Sequence, residues 1–312
     1  MVISTPATDR ELQRGLQRLV YHPKLSPAEI DRRVKTLVNH AERRGLSLKH
    51  CLIARHERNI LYSCLCIDSP GRSSAVYLPG WLPDPQAAET LVSLLRKAAD
   101  EARNRGISFL QAIIPLDAAL ERNAYEQAGF QRLAELIYME RESTEPLVVE
   151  KPSPALSWIT YSPETHQLFA QTVQDTYEGS LDCAGISGKR DIEDVMATHR
   201  CTGVFNPRTW FVGVADGRPV GTLLLSEVPE QAALEVVYMG LRPGYRGKGY
   251  ASTLLEHAVR TARNRAALRL TLAVDAENSP ARRLYARFAF VETSRRSAWV
   301  RILSPANKPP DR

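Results

Sequence analysis

The chain is short of the features that would place it in several broad classes. No apolar run approaches the roughly 18 residues that a membrane helix needs, and the start, MVISTPATDRELQ, lacks the basic and then apolar pattern of a secretory leader. No membrane partner is expected, and a cytoplasmic setting is. Cysteine is scarce and odd in number, with Cys51, Cys64, Cys66, Cys183 and Cys201 scattered in a way that does not resemble a disulfide framework. The segment YSCLCI reads as a strand carrying small buried thiols, not as a zinc cluster, so no metal is expected. Aromatic and basic residues are not interleaved and no nucleic-acid reader motif occurs, so nucleic acid is not an expected partner. Neither G-x-x-x-x-G-K-[ST] nor G-x-G-x-x-G is present, which excludes two common phosphate-binding turns.

What is present is ordinary globular material, 312 residues with 44% hydrophobic and 24% charged. That length predicts two domains. The formal charge of +6 reads as a basic solvated surface that could also favour a polyanionic ligand. Three prolines in STEPLVVEKPSPA break the pattern, which predicts domains over 1–142 and 156–304, a linker over 143–155 and a flexible tail over 305–312. Each half alternates strand and helix patterns, with Asp216-Gly217 as a hairpin turn in the second. The halves also overlay without gaps. ARNR recurs from Ala102 to Ala262, a displacement of 160, and at that displacement Leu110, Arg122, Tyr125 and Phe130 fall on Leu270, Arg282, Tyr285 and Phe290. Such agreement across helix, strand and helix predicts a tandem duplication.

The copies differ at one place. In the second, the apolar stretch ALEVVYMGL runs into RPGYRGKGYA and then a helical face made by Leu254, Leu255, Ala258, Val259 and Ala262; the first has PGWLPDPQAAE instead. Glycines between a strand and a helix allow positive φ and turn successive N–H groups toward one point at the positive end of the helix dipole. A pyrophosphate suits such a turn.

The motif Arg246-Gly247-Lys248-Gly249-Tyr250-Ala251, the strand before it, and Asn278-Ser279-Pro280-Ala281 followed by Leu284-Tyr285 together resemble the GNAT superfamily of acetyl-CoA-dependent N-acetyltransferases. The resemblance covers about 155–303 strongly and the first half weakly, and the two-copy layout is similar to that of tandem GNAT proteins such as mycothiol synthase. It implies an α/β (α+β) fold: two GNAT-like domains, each a mixed, mostly antiparallel sheet flanked by helices, the first degenerate. It implies acetyl-CoA as cosubstrate, held by the backbone of Met239, Gly240 and Leu241, by the turn from Arg246 to Ala251, and by Asn278. Ala289 in RFAF stands where the family usually has glycine.

Acetyl transfer to an amine has two proton problems. An amine of pKa about 10.4 is neutral in roughly one molecule in two thousand at pH 7, a cost of about 4 to 5 kcal/mol, so a base is useful, and the departing thiolate benefits from an acid. The resemblance implies Tyr285 as that acid, the alternative being a tyrosine packed at a helix edge. It implies Glu235 as the base, the alternative being a glutamate facing water, with Glu227 or a water chain in reserve. Asp182 and Cys183, in the loop GSLDCAGISGKRDIED, are candidates for the acceptor side, although such loops are often merely solvated. Arg295 and Arg296 could reach phosphates. The expected activity is transfer to a small-molecule or protein amine by the second copy. The competing reading is a catalytically silent acetyl-CoA-binding sensor or interaction module.

Overall fold

A computed structural model describes residues 1–81, 87–147, 153–186 and 188–303. The first half runs β1 (Val2–Ser4), α1 (Asp9–Val20), α2 (Pro27–Arg43), β2 (Cys51–His56), β3 (Asn59–Ser69), β4 (Ser73–Tyr77), α3 (Ala87–Asn104), β5 (Phe109–Ile114), α4 (Ala119–Gln127) and β6 (Gln131–Glu142). The second runs β7 (Ser157–Thr160), α5 (His166–Thr176), α6 (Ile192–Cys201), β8 (Val204–Ala215), β9 (Arg218–Val228), β10 (Ala233–Leu241), α7 (Tyr250–Asn264), β11 (Arg269–Asp275), α8 (Ser279–Arg287) and β12 (Val291–Ile302). The fold is mixed α/β, as expected, and among the described residues no helix is long and apolar enough to cross a membrane.

Local chemistry sets the helix starts. Ser26 and Glu29 form a reciprocal capping box on α2, Asp191 accepts from the N–H of Glu193 on α6, and Asn278 accepts from that of Ala281 on α8. The helix α7 differs: Gly249 precedes it at φ 88° with no side-chain cap. Asp216 and Gly217 both take positive φ in the turn between β8 and β9, as the sequence predicts.

The displacement of 160 reappears as geometry. The parallel pairs Ser73 with Phe109, Ser74 with Leu110 and Ala75 with Gln111 between β4 and β5 become Ala233 with Arg269, Leu234 with Leu270 and Glu235 with Thr271 between β10 and β11. Helices α4 and α8, and strands β6 and β12, begin and end at residues 160 apart.

Two compact units emerge, but not as two successive blocks: one comprises 1–132 with the chain from Ser297 onward, the other Leu133–Arg296. This departs from the division expected at 143–155. The reason lies in the last strand of each copy. In the first unit the strand order is β1-β2-β3-β4-β5 and then residues 297–302 of β12, whose Ser297 pairs with Ile114. In the second the order is 291–296 of β12, then β6-β11-β10-β9-β8-β7, with Leu136–Glu142 of β6 antiparallel to β11. Each unit therefore takes a strand from the opposite half of the chain. Part of the expected linker, and the expected tail, lie outside the described residues.

In each unit the strands are covered on both faces. In the first unit α3 and α4 pack on a core that includes Leu91, Leu95, Leu110, Tyr125 and Trp299, and α1 and α2 on one with Leu16, Val34 and Ile53. In the second, α7 and α8 pack on Val236, Leu254, Leu255, Val259, Leu272 and Phe290, whereas α5 and α6 pack on Phe169, Val173, Met196 and Trp210. The five residues predicted as the apolar face of α7 are all buried. Each leucine among them contributes about 1.5–3 kcal/mol of transfer free energy. That helix is thus held firmly behind the turn it begins from.

Candidate functional site

Strand β10 starts paired on both sides and ends paired on one. Ala233–Val236 run parallel with β11, but no partner on β11 follows Val236. On the other side Tyr238, Met239, Gly240 and Leu241 continue against β9, after a bulge between Val236 and Tyr238. The bulge resets the alternation of faces: Val236, Met239 and Leu241 lie toward α7 and α8, whereas Val237 and Tyr238 lie toward α5 and α6. A cleft of about 710 Å³ opens where β10 and β11 part, with Val237 to Leu241 on one wall and Leu272 to Val274 on the other. Two glycines keep the backbones close. A Cβ on Gly221 would clash with the carbonyl oxygen of Gly240, and one on Gly240 would lie 2.7 Å from Thr176 Oγ1.

The strand end feeds the glycine turn. Arg242 donates its N–H to Val220, Pro243–Tyr245 form a single 3-10 turn, and Gly247 and Gly249 take φ 72° and 88°. Among the described residues no acceptor takes the N–H groups of Gly247, Lys248, Gly249, Tyr250 or Ala251. Five successive donors at an uncapped helix start, in the wall of a cleft, form a ready site for an anion of more than one charge. The Arg246 side chain is not part of that donor set. Its guanidinium donates to the carbonyls of Leu241, Thr176 and Gly179 at 3.1, 2.9 and 2.9 Å, tying the turn to β10 and to the end of α5. Lys248 is exposed, its ammonium 6.0 Å from the centre of the Tyr245 ring. Asn278 lines the cleft while capping α8 with its Oδ1.

Tyr285, on α8, lines the same cleft and is 7% exposed. Its hydroxyl has no hydrogen-bond partner among the described residues. Burial first, and the charge of Asp182 second, raise its pKa well above that of an ordinary tyrosine, so the phenol stays protonated. Asp182 also lines the cleft and accepts at Oδ1 from the N–H of Asp275 at 3.3 Å. Although it faces the cleft, the protein massed around it is the first cause raising its carboxyl pKa, with Asp275 adding repulsion. Cys183 donates its N–H to Asp275 Oδ2 at 3.2 Å, and burial pushes its thiol up to about 12, which keeps it protonated and a poor nucleophile.

The structure thus brings together Met239, Gly240, Leu241, the turn from Arg246 to Ala251, Asn278, Tyr285 and Asp182 around one cleft, with Cys183 beside it. It does not bring Glu235 there. Glu235 sits in the fully paired part of β10, ahead of the bulge, and is not in the cleft lining. Glu227 is spent on Arg265 at 2.7 Å and on Asn206 at 3.1 Å. Arg295 is engaged by Glu135 and Glu292, and Arg296 donates to the carbonyl of Arg295. Sequence reasoning missed Asp275, at the end of β11 three residues before Asn278, and Thr176, whose hydroxyl meets that of Tyr238 at 2.7 Å. An acidic residue ending an apolar strand beside an asparagine cap was the only signal available for the first; the second had none.

Residues 174–290 match the model of the Acetyltransferase (GNAT) family, a stretch that contains the turn and all of the cleft lining but Ser153. No curated protein matches the chain. Among solved structures, the chain is similar to a GCN5-related N-acetyltransferase from Sphaerobacter thermophilus, with TM-score 0.62 and 16% identity over 96% of this chain and 95% of that one. It is also similar to a tandem GNAT protein from the clavulanic acid biosynthesis pathway, with TM-score 0.51 and 14% identity over 98% and 99%. At these identities the likeness concerns the fold alone.

Proposed function

We propose that the chain is an N-acetyltransferase that moves an acetyl group from acetyl-CoA directly to an amine, with the second unit carrying the site. The observation that supports this most is the run of five unaccepted N–H groups, Gly247 to Ala251, opening on the cleft beside a strand with one free edge. The residues present fit the donor. The turn amides would hold the pyrophosphate, the free edge of Met239 to Leu241 would pair with the pantetheine arm, and the thioester supplies the activated acyl group. Arg246 acts as a positioning residue through its three carbonyl contacts, not as a phosphate ligand. Asn278 fixes the start of α8 and so aims Tyr285.

Tyr285 is the acid. Its unpartnered phenol is held protonated in the cleft and gives a proton to the departing thiolate, a contribution of about 10² to 10⁴ in rate. Glu235 has no place in the cleft lining and receives no role in the proposal. The acceptor is an amine of a small molecule or a protein; resemblance to tandem proteins such as mycothiol synthase carries no acceptor with it, because one fold serves many chemistries.

The test is release of free thiol from acetyl-CoA with a panel of amines, run beside a thermal shift with acetyl-CoA alone. Both responses are expected. A shift without turnover for any amine would support the silent binding module instead, and the absence of both would remove the proposal.

A further inference from the structure

Resting on that reading, we infer that Asp182 receives the acceptor: its carboxylate pairs with the ammonium of a cationic primary amine and takes its proton. Asp182 stands in the cleft wall with Asp275 behind it. Asp275 is consumed by backbone, its Oδ1 accepting from the N–H of Glu277 at 3.0 Å and its Oδ2 from that of Cys183. Asp182 spends one oxygen, Oδ1, on the N–H of Asp275. Its Oδ2 accepts no hydrogen bond, and no lysine or arginine pairs with either carboxylate, among the described residues. Two adjoining carboxylates without a cation leave a local negative charge that a cationic ligand would relieve. An independent feature of the same cleft points to a ligand as well: Tyr285, a side chain more than nine-tenths buried whose hydroxyl has no partner among the described residues.

The titratable groups facing Asp182 are Asp275 on β11, Cys183 beside it, Tyr177 after α5, Tyr238 on β10 and Tyr285 on α8. Burial raises all three phenols and the Cys183 thiol, so each is neutral near pH 7 and none competes with Asp182 as a proton acceptor. The raised carboxyl pKa brings the base nearer to neutral pH, where general bases act best.

The protons balance as follows. Asp182 takes one proton from the ammonium, and the neutral amine attacks the thioester carbon; the C–N bond forms and the C–S bond breaks. Tyr285 protonates the leaving thiolate and regains a proton from the nitrogen of the new amide, while Asp182 returns its proton to water. The products are the acetamide, the free thiol and one solvent proton.

The test compares Asp182→Asn and Asp182→Glu with the wild-type chain, using alkylamine probes that are protonated at pH 7 (ethanolamine, benzylamine, spermidine) and hydroxylamine, which is largely neutral there. Asp182→Asn is expected to lower kcat/KM about 100-fold or more for the alkylamines and at least about tenfold less than that for hydroxylamine, because the latter has no proton to lose before attack. Its melting curve and acetyl-CoA thermal shift stay those of the wild type, and Asp182→Glu recovers part of the alkylamine activity. Equal losses for both kinds of acceptor, or no loss, would overturn the inference. A wild-type chain that binds acetyl-CoA yet acetylates no probe removes the transferase reading and this inference together, a result told apart by the wild-type control.

Discussion

From β4 and β10 onward the two copies run the same programme 160 residues apart, and within that stretch several backbone positions differ in a telling way. Where the second unit has Gly247 and Gly249 at positive φ, the first has Ala87, inside α3, and Glu89. Where the first has Gly106 and Gly129 at φ 81°, the second has Ala266 and Ala289 at φ 54° and 58°. The tyrosine shared by both copies behaves differently too. Tyr125 is fully buried and donates its hydroxyl to the carbonyl of Val76 at 3.1 Å, whereas the Tyr285 hydroxyl opens on the cleft. The comparison teaches that one scaffold can carry different local features at equivalent positions. A turn that frees its amides, and a phenol left without a structural partner among the described residues, distinguish the second unit from the first.

The comparison can be broken most severely at the turn. Writing the first unit's residues into the second, Gly247→Ala with Gly249→Glu, places two side chains at positive φ, a cost of about 1–2 kcal/mol each, and a carboxylate where the amides converge. The acetyl-CoA thermal shift is expected to vanish while the melt stays cooperative; an unchanged shift would mean that the turn is not the site.

Next in size is the tyrosine pair. Tyr285→Phe should lower kcat by about 100-fold or more with little change in the KM for acetyl-CoA. Tyr125→Phe should leave kcat alone and cost about 1 kcal/mol of stability, because it orphans the Val76 carbonyl. Equal kinetics for Tyr285→Phe and wild type would retire the acid.

A smaller effect separates the units by pH. Among the described residues, the two histidines that burial holds neutral, His199 and His257, both lie in the second unit, with pKa values lowered to about 4, mainly by burial and secondarily by Arg190 and Arg260. Since an unfolded histidine titrates near about 6.5, the stability they contribute is present above that pH and is lost as pH falls through the window toward 4. By pH 5 His199, the more deeply enclosed, should cost about 1–2 kcal/mol, and His257, screened by solvent, less. Hydrogen exchange at pH 7.5 and pH 5 should show protection falling more within 133–296 than within 1–132; the reverse order would contradict the assignment. Least of all, Ala266→Gly and Ala289→Gly should each change stability by no more than about 1 kcal/mol, toward stabilisation, because they relieve a left-handed alanine. A clear drop in Tm would show that these alanines pack in a way their φ values do not reveal.

Much of this was legible before any coordinates. Hydrophobic period and glycine spacing located α7, β11 and α8, and the ungapped displacement anticipated the register of the paired strands. The turn motif pointed to Gly247 through Ala251 because glycine at positive φ is a local, readable property. What escaped was non-local. Strict alternation cannot show a bulge at Val237, yet that bulge decides which residues of β10 reach which face and leaves Glu235 in the paired stretch behind it. Nothing local marks Arg246 as bound to the carbonyls of Thr176 and Gly179, about 70 residues away along the chain. Nor could a proline-rich segment reveal that β6 and the end of β12 belong to the opposite units, since strand partners are chosen by the folded sheet.

The most direct measurement is a crystal structure of the full chain soaked with coenzyme A. The account predicts the pyrophosphate within about 2.7–3.2 Å of N–H groups between Gly247 and Ala251, with the thiol end directed along Met239 toward Tyr285. A ligand seated in the first unit, with this turn bare, would contradict it.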